Sequence, residues 1–376
     1  MDSTDWALLP KHLLDSVLER LPSRLDYLRF SVVCMSWNSV AEDNLSKRTA
    51  PMLLGYCGKQ DKWNLCDIAR DKVLDLQLDL PKRRFCGFSK GWLISVDENF
   101  IVTLIDPFSR VKGRRAKENS IISLPALNLR ETSRKSFSEL SDYYVLKATI
   151  SANPISNAKD CIVVIIHDHN CQLAFIRLDK DTRWTYINAR LNINIYEVVY
   201  VEDKFYAIDI KNQLFCFKVT TEPFNSDDII LVAEALEEPV LFYKKKYLVE
   251  SNKELLMVHR FLRYSGRPRR RRSTTKFEVF KFDANNHKWT EINTLGDAAL
   301  FVGDNSSISV SASDFECLPS CIYFIHDWDR VAHRRRHRDS GVYNITTQSF
   351  SGLGHASTLI KMSNRTPIWT MANVKL

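Results

Sequence analysis

The sequence predicts a mainly β protein, α+β by composition. Three helices fill residues 1–50, and a six-bladed β-propeller-like domain follows over residues 51–376. Two observations carry this. Apolar residues recur at helical spacing only near the N-terminus, where Leu9, Leu13, Leu14, Val17, Leu18 and Leu21 make one broad stripe. Beyond it, short runs rich in Val, Ile, Tyr and Phe alternate with Asp, Asn, Lys and Gly turns, the pattern of paired strands.

The first helix has Pro10 where a first-turn proline is tolerated, and Pro22 ends it. The second begins at Ser23, with Asp26 three residues on in capping-box positions, and carries Leu25, Leu28 and Val32. The third holds Trp37, Val40 and Ala41. Three short helices bury too little apolar surface to be stable alone, so this unit is expected to lean on a partner.

In the β-rich body, strand pairs are expected at 91–96 with 102–106, 161–166 with 173–178, and 205–210 with 214–219. Strands at 247–249, 254–260 and 277–283 come next, then 321–326 with 341–345. An Asp, a turn and a Trp-led strand occur twice, Asp179 with Trp184 and Asp283 with Trp289. The tryptophans are 105 residues apart, two units of about 52, close to the propeller repeat of about 40–50 residues. Six units result, at 51–80, 85–125, 143–188, 196–235, 245–293 and 299–352, with 367–374 available as a closing strand. The competing architecture is an irregular pair of β-sandwiches.

The composition, 45% hydrophobic and 26% charged, is that of a globular chain. Its longest strongly apolar run, 161–166, is far short of the about twenty residues that span a membrane. Nine cysteines, an odd number without a CxxC pair, and an acidic N-terminus point to reduced thiols and an intracellular setting, nucleus and/or cytoplasm.

The net charge of +8 is concentrated. Segment 263–276 holds seven Lys/Arg and no acid; a second run occupies 333–338 and a third 110–117. In the six-blade count the first two lie in second-to-third-strand loops of adjacent blades, side by side on one face, and the third lies on the opposite face. Arg269, Arg270, Arg271, Arg272, Arg334, Arg335 and Arg336 therefore form a candidate patch for an acidic or phosphorylated protein substrate, with Arg suited to bidentate contacts. The plainer readings are solvated loops or an import signal. Nucleic acid is disfavoured because only Tyr264 interleaves the charges.

Other clusters lack the arrangement that chemistry needs. His167, Asp168, His169 and Cys171 sit in a polar turn, and consecutive positions there point apart rather than toward one ion. His333 and His337 flank three arginines without a Glu base, and Cys317 and Cys321 read as packing residues. No phosphate loop, nucleophile elbow or kinase signature occurs. No cofactor, metal or catalytic residue is expected, and the chain reads as non-catalytic.

The N-terminal residues resemble an F-box, whose family pattern is roughly LPxxLLxxILxRLPxxDLLRLRxVCxxW. Leu9-Pro10, Leu13-Leu14, Val17-Leu18, Leu21-Pro22, Asp26 to Phe30, Val33-Cys34 and Trp37 follow it in order; two basic positions are lost, to Ser31 and Met35. An F-box docks a substrate receptor onto the Skp-type adaptor, and through it a cullin, in an SCF ubiquitin ligase. The resemblance implies that Leu9, Pro10, Leu13, Val17, Leu18 and Leu21 face the adaptor. Leu14, Val33, Cys34 and Trp37 would hold the helices together.

The body resembles the plant F-box family with a "domain of unknown function 295", also called F-box/kelch-like. The resemblance rests on Tyr247 to Val258, Phe277 to Phe282, Trp289 to Ile292 and Ala299 to Ser309. It departs at Asn252-Lys253, where the family has Gly after the Ser, and in the long basic loop after Phe261. Together these imply the substrate-recognition subunit of an SCF ligase, with an unnamed protein target and no membrane. The alternative is a propeller scaffold that binds protein or nucleic acid through a basic face, without a ligase role.

Overall fold

The computed structural model describes residues 6–21, 24–45, 50–112, 118–129, 141–187, 193–219, 228–234, 243–265, 271–325, 339–363 and 365–371. After a 3-10 turn at Trp6–Leu8 come α1 (Lys11–Glu19), α2 (Arg24–Ser31) and α3 (Met35–Leu45). Pro10 occupies the N-cap of α1, and its carbonyl accepts from the Leu13 and Leu14 amides. The expected second-helix start, Ser23, lies outside the described residues.

Six radial sheets follow. Blade 1 holds β1 (Met52–Cys57), β2 (Lys62–Asp67) and β3 (Lys72–Leu78); blade 2 holds β4 (Phe85–Ser89), β5 (Trp92–Val96), β6 (Ile101–Ile105) and β7 (Ile121–Ala126). Blade 3 comprises β8 (Val145–Ile150), β9 (Ile162–His167), β10 (Gln172–Arg177) and β11 (Thr185–Tyr186). Blade 4 comprises β12 (Ile195–Val201), β13 (Lys204–Asp209), β14 (Leu214–Phe217) and β15 (Ile230–Ala233). Blade 5 runs through β16 (Tyr243–Ser251), β17 (Glu254–Ser265), β18 (Arg271–Asp283) and β19 (Lys288–Ile292). Blade 6 contains β20 (Ala298–Gly303), β21 (Ser306–Ser311), α4 (Ala312–Phe315), β22 (Cys321–Phe324), β23 (Gly341–Asn344) and β24 (Ser349–Ser351). After α5 (His355–Met362), β25 (Ile368–Thr370) pairs antiparallel with β1 and closes the ring, as the tail 367–374 was expected to do.

Alternate residues of each strand face opposite neighbours, so the apolar core is divided among the blade interfaces. Ile165, Ala174 and Ile176 of blade 3 pack with Cys86, Ile94 and Leu104 of blade 2. Phe277 and Val279 of blade 5 pack with Leu300, Ile322 and Phe324 of blade 6. Of the two repeated tryptophans, Trp184 immediately precedes the outer strand of blade 3 and Trp289 is the second residue of that of blade 5; the Trp184 indole donates to the Pro125 carbonyl of blade 2 at 2.8 Å. The innermost strands touch in succession around the ring: β4, β8, β12, β16, β21 and β25. Gly87 permits the β4–β8 approach, because a Cβ there would stand 2.3 Å from the Ala148 carbonyl oxygen.

Blade 6 departs from the simple meander. The chain enters at the second position with β20, turns inward to β21, and crosses through α4 to β22, which pairs parallel with β20. The inward turn carries Asn305, wholly buried, whose side-chain amide donates to the carbonyls of Phe85 and Pro367; its own carbonyl accepts from the Phe88 amide. This turn therefore joins blades 6, 1 and 2 at the centre of the ring.

At the two-residue turn between β16 and β17, Asn252 and Lys253 both take positive φ (51° and 64°), and Glu250 accepts from the Lys253 amide. Asn tolerates that conformation; Lys pays for it. This is the structural content of the departure from the family at that turn.

Candidate adaptor and substrate surfaces

In the helical module, Leu14, Leu18, Phe30, Val40 and Ala41 are buried together, and Leu9, Leu21 and Trp37 pack against them. The Phe30 and Trp37 rings lie 4.5 Å apart, and the Trp37 indole donates to the Trp6 carbonyl at 2.8 Å. Two expectations change. Leu18 is 2% exposed and belongs to the helical core, because it falls on the side of α1 that meets α3. Val33, expected in that core, is 54% exposed in the α2–α3 connection. Cys34 is half-buried. Pro10, Leu13 and Val17 are exposed, the last two one helical turn apart on α1.

Sequence reasoning missed Trp6, Leu8 and Met35, all strongly exposed apolar residues of the same module. The available signal was Met35, an apolar residue where the family pattern has a basic one. On the other substituted position, Ser31, the module is buried.

The model described as F-box domain matches residues 6–49, and the model described as KIB1-4 beta-propeller matches residues 65–344. The chain is an F-box protein of the KIB1-4 beta-propeller family. It is 29% identical to "F-box protein SKIP23" of Arabidopsis thaliana over 84% of this chain and 82% of that protein. It is 26% identical to "Putative F-box protein At3g25750" of the same plant over 86% and 88%, and 26% to "F-box protein At2g17036" over 85% and 81%. The resemblance to a plant F-box family with a β-body is thereby met, under the KIB1-4 description.

In this F-box propeller the basic segments differ from simple loops. The run 263–276 is largely a ribbon: β17 and β18 stay paired as far as Ser265 opposite Arg271. Arg272 is a correction to the candidate patch. It is 5% exposed, opposite Tyr264, with its guanidinium 4.0 Å from the Asp339 carboxylate, because this side of the ribbon packs toward blade 6. Arg271 is the first residue of β18. Arg269, Arg270, Arg334, Arg335 and Arg336 lie outside the described residues, as do His333 and His337.

The anchors of the two basic segments do meet. Arg260, fully buried, donates to the Tyr247 hydroxyl, the Thr274 hydroxyl, the Ile325 carbonyl, and both the carbonyl and the carboxylate of Asp339. Ile325 and Asp339 are the last and first described residues on either side of the second basic run. A buried guanidinium so fully engaged fixes that junction, since removing either ion would strand the other in apolar surroundings. The third run is anchored elsewhere: the Arg110 guanidinium binds the carboxylate and carbonyl of Asp79, tying blade 2 to blade 1.

Nearer the central channel, Lys147 of β8 meets Glu197 of β12 at 2.5 Å, and Lys245 of β16 meets Asp304 at 2.7 Å. Burial pushes the Glu197 carboxyl up to about 7, against the pull of Lys147. His167 is buried beside the Tyr144 and Tyr186 rings, and burial drives it down to about 4, so it is a neutral packing residue at neutral pH. None of the nine cysteines is in a disulfide, and burial pushes the Cys66, Cys86 and Cys161 thiols up to about 12. Among the described residues no group of three or more His, Cys, Asp or Glu is arranged to hold a metal, and no helix is long and apolar enough to cross a membrane.

Proposed function

We propose that this F-box propeller is the substrate-recognition subunit of an SCF-type ubiquitin ligase. Its helical module docks on a Skp-type adaptor, and through it a cullin, while the propeller holds a protein target. The single observation that supports this best is the F-box match at residues 6–49, with Leu13 and Val17 exposed one turn apart on α1. An amphipathic helix inserts such i, i+4 anchors into a groove, each worth about 1.5–3 kcal/mol before ordering costs. The receptor performs no bond chemistry; it raises the effective concentration of a target lysine near the charged conjugating enzyme. Its work is done in the nucleus and/or cytoplasm.

The test is co-purification of the full chain with a Skp-type adaptor. Changing Leu13 and Val17 together to Ser should abolish it while the β-domain melts as before. Undiminished adaptor binding by that variant rejects the reading.

A further inference from the structure

Beyond blade 4, the β17–β18 ribbon overhangs its neighbour. Alternation along blade 5 sends Tyr247, Val258 and Phe277 toward blade 6, and Leu248, Met257 and Phe280 toward blade 4. On that same blade 4 side, further out, stand Lys244, Phe261 and Lys276, directly opposite one another across three strands. The Lys244 ammonium lies 4.8 Å from the Phe261 ring centroid and the Lys276 ammonium 6.0 Å. Arg263 follows two residues on, exposed. Beneath this wall lies the β13–β14 turn of blade 4, with Ile210 and Lys211 exposed; the Lys246 ammonium, one residue pair inward, donates to the Ile210 carbonyl at 2.8 Å. The result is a shelf with two apolar residues, Phe261 and Ile210, and four cations, Lys211, Lys244, Arg263 and Lys276. Against them, Glu278 binds Lys276 at 2.8 Å and Glu291 lies on the outermost strand.

We propose that this shelf binds an extended acidic segment of the protein target, with carboxylates alternating with apolar side chains. The inference deepens the receptor reading and rests on it. Charge complementarity favours that occupant, and so does spacing. Adjacent strands lie about 4.8 Å apart and alternate residues of a strand about 6.8 Å. On these spacings Lys244 and Lys276, two strands apart, stand about 9.6 Å from each other and Arg263 about 8.3 Å from each, and the long Lys and Arg side chains can close the difference to the about 6.8 Å between alternate carboxylates of an extended peptide. Nucleic acid fits less well, because base stacking needs a bare aromatic face and that of Phe261 already carries ammoniums.

The probe is a fluorescein-labelled twelve-residue peptide alternating Asp and Leu, titrated with the full chain by anisotropy, beside an Asn–Leu counterpart. The acidic peptide is expected to bind at least about tenfold tighter. The triple variant Lys244→Glu, Arg263→Glu, Lys276→Glu should weaken it by at least about tenfold, and Phe261→Ala by a few-fold, with unchanged thermal melts. A control triple on other blades, Lys59→Glu, Lys159→Glu, Lys180→Glu, should change it less than about twofold. Equal losses from both triples, no loss from the first, or tighter binding of a twelve-nucleotide oligothymidylate would overturn the proposal. Adaptor co-purification of the same variants separates the two readings. If the triple variant binds the acidic peptide as the wild type does while the wild-type chain binds the adaptor, the shelf alone is removed; failure of the wild-type chain to bind the adaptor removes the receptor reading.

Discussion

The helical module and the propeller handle apolar surface in opposite ways. The propeller distributes its apolar residues over blade interfaces that close on themselves, so Leu53, Phe85, Ile165, Phe301 and Trp369 have no exposed area worth noting. Among its described residues the module gathers a core of five buried apolar side chains and leaves Trp6, Leu8, Leu13, Val17, Val33 and Met35 in contact with solvent. A ring is self-sufficient because every sheet has two neighbours; three short helices have one small interior and a remainder that needs covering.

The sharpest break of this comparison is to open the ring. Trp369 is fully buried, its backbone amide donates to the Ser306 hydroxyl and its indole to the Val302 carbonyl. Trp369→Ala should cost the propeller about 3–5 kcal/mol, read as a lower urea midpoint, with adaptor binding retained below the transition. Next, Leu18→Ala should destabilise the helical module by about 2–4 kcal/mol, whereas Leu13→Ala, on the open side, should stay within about 1 kcal/mol. Hydrogen exchange of the α1 and α3 amides measures both, and equal effects would mean that the two leucines are not divided between core and surface.

A smaller effect tests the polar exceptions inside the ring. The Glu197 carboxyl titrates at about 7 when folded, above its ordinary 4.5. The folded state thus holds a proton that the unfolded state releases, and this contribution is present below about 4.5 and lost as pH rises to about 7. The unfolding free energy of the wild type, taken relative to that of Glu197→Gln, should therefore be larger at pH 5 than at pH 8. A difference independent of pH rejects it. The smallest change is at the β16–β17 turn: Lys253→Gly relieves a positive φ and should raise stability by about 0.5–1 kcal/mol, seen as a slightly higher melting temperature.

Much of the architecture was legible because the repeat is written in residue types. Val, Ile and Phe runs between short polar turns gave every blade within a few residues, and Trp184 and Trp289 marked equivalent places two blades apart. The order of strands in blade 6 was not legible, since the β20–β21 hairpin has the same pattern whether it leads inward or outward; the parallel β20–β22 pairing depends on a four-residue helix. Burial within one helical stripe was equally hidden: Leu13 and Leu18 differ only in angle about α1. Arg272 looked like part of a solvated charge run, and only the register of the ribbon shows that it turns toward Asp339. Lys147 and Glu197 are ordinary strand residues until the ring brings β8 and β12 together.

Closure by the final strand has a consequence for biosynthesis. Thr370 of β25 bonds to Met52 of β1 across 318 residues. At about 5–20 residues per second of translation, the first blade waits roughly 15–60 s before its innermost strand exists. Throughout that interval β1 offers an unpaired edge of the kind that seeds intermolecular pairing. A chain whose synthesis stopped between β24 and β25 would therefore carry an F-box on an unsealed propeller, and under the receptor reading proposed above it would occupy adaptor without a finished recognition face.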